Sequence, residues 1–244
     1  MRGGLMRLIR YLEAALTPRF VDIEYQGHRL SLVRSIWWDD ARERAFQEEI
    51  DPYFRALDRC SQVRSILDVG AATGMFSLAA LVRFSSIEKI YAFEPSSRQR
   101  ILLKRNVLRN KAHQRVQTEP YGLWSRQGVV AFRTHGALSS VQSVSTLPSV
   151  LDFGETISVI SLDQWIANND VRNLDLVKMD IEGAEIEALE GAVVTLERFR
   201  PILLIQAYHV RDGRRTFESC ASFLGRLGYK CLEVMPPSGL LYAM

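Results

Sequence analysis

Residues 66–76 read Ile66-Leu67-Asp68-Val69-Gly70-Ala71-Ala72-Thr73-Gly74-Met75-Phe76, and this stretch decides the fold. The apolar run of Ile66, Leu67 and Val69 predicts a buried strand. A glycine turn follows, then an apolar helical pattern over residues 75–81. Strand, glycine turn and helix open a nucleotide-binding α/β unit. Gly70 suits a backbone conformation that a side chain resists, and Gly74 lets the backbone approach a ligand or the facing strand. The next strand reads Lys89-Ile90-Tyr91-Ala92-Phe93 and ends in Glu94, 20 residues beyond Gly74. An acid near that spacing is where such folds hold the two hydroxyls of a ribose. A carboxylate suits the task because it accepts both hydrogen bonds. The two landmarks together predict an adenosine-containing cofactor; either alone fits an ordinary tight turn in a ligand-free α/β protein.

The loop has the form Asp68-x-Gly70-x-x-x-Gly74, with Ala72 where a middle glycine would admit a pyrophosphate. Asp68 and Glu94 set two carboxylates beside it, which repel a diphosphate and suit a cation. S-adenosylmethionine carries a sulfonium, an ammonium and a ribose but no phosphate, so the electrostatics favour it over NAD. Nor is any tyrosine followed four residues on by a lysine, as one common group of NAD-dependent reductases requires.

Three blocks, Asp68-Val69-Gly70-Ala71, Phe93-Glu94-Pro95 and Asp180-Ile181-Glu182-Gly183-Ala184-Glu185, resemble in order and spacing the FkbM family of S-adenosylmethionine-dependent methyltransferases. The third is the most specific, and the resemblance runs over roughly residues 60–244. It implies a seven-stranded, doubly wound Rossmann-like α/β sheet, mostly parallel with an antiparallel closing strand. In characterised members it implies methylation of a hydroxyl oxygen. Ala72 departs from the family, which often has Asn there; the change leaves the fold alone and removes a polar contact near the loop.

Composition sets the outer bounds. The 244 residues suffice for one α/β domain, residues 59–244, behind an N-terminal extension, residues 1–58. With 47% hydrophobic and 24% charged residues the composition is that of an ordinary globular protein. A net charge of +3 is too small to imply nucleic acid as a partner. Cys60, Cys220 and Cys231 show no CxxC spacing, which fits reduced thiols and a cytoplasmic location. No apolar run reaches the roughly 18 residues of a membrane span, and Glu13 interrupts the N-terminal apolar segment, which therefore does not read as a signal peptide.

Leu5, Leu8, Ile9, Leu12, Ala15 and Leu16 recur at helical spacing with Arg7 and Arg10 opposite, a basic amphipathic helix ended by Pro18. It either docks on the domain or contacts a membrane surface or partner. Residues 20–34 predict a hairpin turning near Gln26-Gly27, and residues 40–57 a helix placed to cover the site's mouth. From Val63 strands and helices alternate, predicting a parallel sheet. Residues 98–110 form a basic crossover helix, 115–118 the third strand and 128–133 an extra strand. Residues 135–148 read as a Ser-rich loop, 162–167 as a short helix and 174–179 as the fourth strand. Residues 184–198 then predict one helix, 201–208 the fifth strand, 216–227 the last helix, and 229–234 with 240–243 a closing hairpin.

Ligands of open α/β sheets sit beyond the carboxyl ends of the strands, so Asp68, Gly70, Glu94, Tyr121, Gly122, Asp180 and His209 should meet along one edge. Asp68 should lie under the loop and orient it or the methionine ammonium. Gly70, Ala71, Thr73 and Gly74 should supply backbone contacts, and Glu94 should hold the ribose beside Pro95 and Ser96. Asn106 is a weaker candidate, and Phe76 serves the cofactor or the core. Tyr121 and Gly122 could flank the adenine, Trp124 is core more readily than site, and Ser139 and Ser140 match a serine pair in the family's loop.

Methyl transfer to oxygen needs an aligned nucleophile and removal of its proton. Asp180, which also counts as a cofactor contact, is the first choice for base or acceptor-orienting residue, and His209 the second. The plainer reading of Asp180 and Glu182 is helix-start chemistry. Asp180, Glu182 and His209 could also hold Mg²⁺, but their spacing is no recognised metal motif. The expected activity is thus O-methylation of a sugar, polyketide or other small metabolite. The rivals are a non-catalytic S-adenosylmethionine-binding or scaffold protein, an NAD-dependent oxidoreductase and a nucleic-acid methyltransferase. The Asn/Asp-Pro-Pro-Tyr/Phe motif of amino-group methylation is absent, since Pro236-Pro237 is followed by Ser238.

Overall fold

A computed structural model describes residues 20–33, 42–58, 60, 62–133, 140–142, 154–211, 213–234, 236 and 238–244. The predicted helix at residues 5–16, and Ser139, lie outside them. The hairpin strands β1 (Phe20–Tyr25) and β2 (His28–Val33) pair from Phe20 opposite Val33 to Tyr25 opposite His28. Gln26 and Gly27 turn the chain with φ of 48° and 75°, the two left-handed residues whose twist matches a two-residue hairpin. Alternation then buries Val21, Ile23, Tyr25, Leu30 and Leu32. In α1 (Arg42–Ala56) the buried residues Phe46, Ile50, Tyr53 and Phe54 recur at helical spacing and form one stripe.

The α/β alternation follows as β3 (Ser65–Val69), α2 (Met75–Arg83), β4 (Lys89–Phe93), α3 (Ser97–Arg109) and β5 (Val116–Glu119). After β6 (Gly122–Leu123), β7 (Gly128–Arg133), β8 (Ser140–Gln142), β9 (Gly154–Ile160) and α4 (Leu162–Ala167), the chain returns to the main sheet through β10 (Leu176–Met179). Helices α5 (Glu185–Glu190) and α6 (Val193–Phe199) lead to β11 (Ile202–Gln206). A short pair, β12 (Val210–Arg211) and β13 (Arg214–Arg215), precedes α7 (Thr216–Arg226), β14 (Cys231–Val234) and β15 (Leu240–Ala243).

Seven strands make the main sheet in the order β14-β15-β11-β10-β3-β4-β5. All neighbours are parallel except β15, which runs antiparallel to both β11 and β14. The order reverses between β3 and β10, and this switch point opens a crevice at the carboxyl ends of the strands. Val69 pairs with Met179 and with Phe93, and Met179 with Ile205, so four strands end level there. One apolar cluster, with the hairpin, α1, α2 and α3, covers one face; the other, around Trp165, Leu196 and Leu224, covers the opposite face.

The structure departs from the sequence expectation in three places. First, residues 184–198 form two helices, not one. A Cβ on Gly191 would lie 2.1 Å from the Trp124 carbonyl oxygen, so the chain presses against its neighbour here. Asp163 restarts the helix by accepting from the Val194 and Thr195 amides at 3.1 and 2.7 Å. Second, β6, β9, β7 and β8 form a separate four-stranded sheet in that order. Ser140 therefore sits in a strand opposite Arg133, inside the stretch expected to be a loop. Third, β12 and β13 form a small ribbon beyond the fifth strand.

Candidate active site

The glycine loop is shaped from both sides. Its Gly70 and Ala71 amides donate to the Phe93 carbonyl at 3.0 and 2.9 Å. Gly70 has φ of +74°, and a Cβ there would lie 1.9 Å from the Asp180 carbonyl oxygen. Only glycine fits this crossing of β3 and β10. Gly74, with φ of +85°, holds its missing side chain's place against Leu103, 2.5 Å from the Leu103 Cδ1. Ala72 is left-handed at φ 47°, a conformation an alanine adopts at a cost.

Asp68 is fully buried beneath the loop. Its Oδ2 accepts from the Ser77 hydroxyl at 2.6 Å, and Oδ1 lies 3.3 Å from the Lys178 ammonium. Lys178 also donates to the Gly70 carbonyl at 2.9 Å. Burial alone would lower the Lys178 pKa; Asp68, Asp180 and Glu49 outweigh it and hold the ammonium above its ordinary range. Asp68 thus shapes the loop through Lys178, a residue the sequence reading missed. A lysine within the otherwise apolar run Leu176-Val177-Lys178-Met179 was the available signal, since a buried cation demands a partner.

Glu94 closes the loop from β4. Its Oε2 accepts from the Ala72 amide at 2.9 Å and its Oε1 from the Ser96 amide at 2.8 Å. Only 6% exposed, its carboxyl is pushed up to about 7 by burial, while those two amides pull the other way. Each oxygen retains a lone pair for a ribose hydroxyl. Arg100 clamps the Glu94 and Pro95 carbonyls at 2.8 and 2.9 Å.

Asp180 follows β10 at the switch point, its amide bonded to the Val69 carbonyl at 3.0 Å. Its Oδ2 accepts from the Tyr53 hydroxyl of α1 at 3.3 Å, and its Oδ1 is buried with no hydrogen-bond partner among the described residues. Burial drives the Tyr53 phenol well above 10, with Asp180 adding to the shift, so Tyr53 is a fixed donor. Glu49, one turn earlier, feels both Lys178 and Asp180 and is raised chiefly by burial, though its side retains solvent access. Helix α1 therefore reaches the mouth as expected and contributes side chains to it. Their signal was a tyrosine within the apolar stripe of a helix beside Trp37 and Trp38, which themselves lie outside the described residues.

His209 leaves β11 on the same edge. Its Nε2 is 2.9 Å from Glu182 Oε2, and its Nδ1 is 3.9 Å from Oε1 of the fully buried Glu185. The bond to Glu182, followed by the other carboxylates, raises the imidazole pKa against burial. Burial in turn raises Glu185, whose Oε1 accepts from the Gly183 amide at 3.0 Å. Glu182 and Gly183 are both left-handed, at φ 58° and 98°, which turns Glu182 back toward His209. Neither Asp180 nor Glu182 caps α5 through its side chain; Ala184 stands at the cap position.

The remaining candidates divide. Asn106 is structural: buried, it accepts from the Val33 amide at 2.6 Å and donates to the Thr73 carbonyl at 2.8 Å, tying hairpin to loop. Phe76 belongs to the core, 3% exposed, its ring stacked on Phe54 and edge-on to Tyr53. A Cβ on Gly122 would lie 3.7 Å from Pro95, which brings the Tyr121-Gly122 segment beside Glu94-Pro95-Ser96. Tyr121 packs partly buried on the second apolar cluster. Trp124 pairs through its amide with the Ile160 carbonyl, and no described contact brings it to the loop. Among the described residues no group of three His, Cys, Asp or Glu side chains is arranged to hold a metal ion.

S-adenosylmethionine fits this donor set. The loop offers backbone and carboxylates, Asp180 carries an unpartnered buried oxygen, and Lys178 is turned onto Asp68 and Gly70. Gly70 to Gly74, Glu94 and Asp180 would hold it.

Hexuronic acid methyltransferase AglP of Haloferax volcanii is 27% identical over 187 residues, covering 75% of this chain and 72% of that protein. The crystal structure of methyltransferase FkbM from Methylobacillus flagellatus KT superposes with a TM-score of 0.54 at 22% identity, a likeness of fold. That match covers 82% of this chain and 50% of the other, so this chain spans about half that protein's length. A family model described as the methyltransferase FkbM domain matches residues 68–231, from the buried aspartate of the loop past His209 to the start of β14. The chain belongs to the FkbM family of S-adenosylmethionine-dependent methyltransferases.

Proposed function

We propose that the chain methylates a hydroxyl oxygen of a sugar or another small metabolite, with Asp180 as the residue that orients the hydroxyl and accepts its proton. The observation that carries this reading is the state of the Asp180 carboxylate: one oxygen held by Tyr53, the other buried and unpartnered at the switch point. An acceptor hydroxyl donates to such an oxygen, which aligns its lone pair and weakens its O–H bond. The bound cofactor supplies an electrophilic methyl group. His209, coupled to Glu182, is the second proton acceptor on the same edge. Residues 1–58 serve in this proposal as an extension whose helix α1 closes the mouth with Glu49 and Tyr53. The hexuronic acid substrate of the Haloferax relative supports a sugar as the acceptor class.

The test is transfer of a labelled methyl group from S-adenosylmethionine to a panel of neutral sugars, uronic acids, amino sugars and phenols, with the product bond identified by mass spectrometry. The expected result is an O-methyl ether. Asp180→Asn should lose on the order of a hundredfold or more in turnover at saturating S-adenosylmethionine. Label on nitrogen or carbon, or an Asp180→Asn variant with undiminished turnover, would overturn the proposal.

A further inference from the structure

Charge is distributed unevenly along this chain. Residues 95–118 hold seven lysines and arginines and no aspartate or glutamate, so a whole-chain charge of +3 leaves the remainder net negative. This basic segment is built around α3, whose inner face buries Leu102, Leu103, Asn106 and Val107. On the opposite face Ile101 is 45% and Leu108 64% exposed, two turns apart with exposed Lys104 between them. Exposed Arg98 and Arg109 flank this apolar crest, and exposed Lys111 and Arg115 extend the positive surface beyond the helix end. Arg109 lies over the Phe20 ring, and none of Arg98, Lys104, Lys111 and Arg115 has an ion pair among the described residues. Beside the C-terminal turn of α3, Arg29, Arg109 and Lys111, with Asp22, Ser31 and Asn110, line an open hollow of about 430 Å³. Asp22 is paired there with Arg29.

We propose that the outer face of α3 docks on an anionic lipid bilayer. A helix of 13 residues, about 20 Å long, lies flat on such a surface with Ile101 and Leu108 entering the interface and the flanking cations among the headgroup phosphates. The pairing of apolar crest and cationic flanks selects lipid over nucleic acid. A phosphodiester backbone satisfies the cations but gives the two aliphatic side chains nothing to bury in, and single strands call for exposed aromatic platforms. The crest is also convex, where a nucleic-acid site would be a groove.

The experiment is co-sedimentation of the full chain with vesicles of equal parts phosphatidylglycerol and phosphatidylcholine, and with phosphatidylcholine alone. Binding is expected to the anionic vesicles and to weaken as salt is raised. Each cation near an anionic surface is worth about fivefold in affinity, so Arg98→Glu with Lys104→Glu should lose more than about tenfold. Ile101→Ser with Leu108→Ser should lose several-fold at unchanged charge. All four positions are exposed, and melting temperature and S-adenosylmethionine binding should be unaffected in both variants. Three results overturn the proposal: no preference for anionic vesicles, full binding by both variants, or tighter binding of an oligonucleotide than of vesicles by the same face.

Discussion

Glu94 should make cofactor affinity a function of pH. Burial lifts its carboxyl from 4.5 to about 7 in the free protein. A ribose brings two hydroxyl donors, and the ionised carboxylate is the form that accepts both. Binding S-adenosylmethionine therefore favours the charged form and expels a proton wherever free Glu94 still carries one. Affinity should rise with pH through the acid range and level off above about 7. From about pH 6 to about pH 8 the gain is about tenfold, or about 1.4 kcal/mol. The stability of the free protein moves the other way. A carboxyl raised on folding contributes its stability in full below 4.5 and loses it as pH rises through about 7. The melting temperature of the free protein should therefore fall across this window from this group, while the upward shift produced by the cofactor grows. Calorimetric titration in two buffers of different ionisation heat reads both the affinity and the protons released. Glu94→Gln should bind weakly with no slope. A flat profile in the native protein, or an equal slope in Glu94→Gln, would refute the reasoning.

Lys178→Met should cost about 3–5 kcal/mol in denaturant unfolding, because it leaves Asp68 buried without its counter-charge; a loss under about 1 kcal/mol would show that the pair is dispensable. Ala72→Gly should add about 1 kcal/mol by releasing a left-handed alanine, a gain measurable by urea titration and absent if the loop relaxes on its own. Among acceptors, neutral or amino sugars should outpace uronic acids by about tenfold or more in kcat/KM, since Glu49, Asp180 and Glu182 line the mouth, with fully buried Glu185 behind them, against Lys178 and His209. A uronate preferred over its neutral counterpart would count against that charge argument.

Much of this architecture was written locally. The glycine loop, the β4 acid and the hydrophobic alternation of the hairpin each depend on neighbours within a few residues, and so they read directly from the sequence. The level strand ends followed from one topological rule applied to that strand list. What escaped was long-range or compensated. Tyr53 meets Asp180 across 127 residues, and nothing near either residue announces the other. The break at Gly191 arises because the Trp124 carbonyl occupies the space a side chain would need, a tertiary constraint that overrides helix periodicity. β9 was legible and overlooked: Ile157 and Val159 are buried between exposed Thr156 and Ser158, a clean period of two. Phe76 and Asn106 sit where a ligand contact was plausible, yet each faces inward, because the hairpin and α1 needed partners on that side of the sheet.

The bridge made by Asn106 also has a temporal meaning. During synthesis the hairpin leaves the ribosome first, but the side chain that receives the Val33 amide is encoded 73 residues later, and the loop carbonyl it grips lies 33 residues before it. At a translation rate of about 5–20 residues per second, the hairpin waits several seconds for its anchor. Until α3 has been made, neither the early hairpin nor the glycine loop has the partner that fixes their mutual geometry. Competence to hold the methyl donor therefore cannot precede the emergence of α3 from the ribosome.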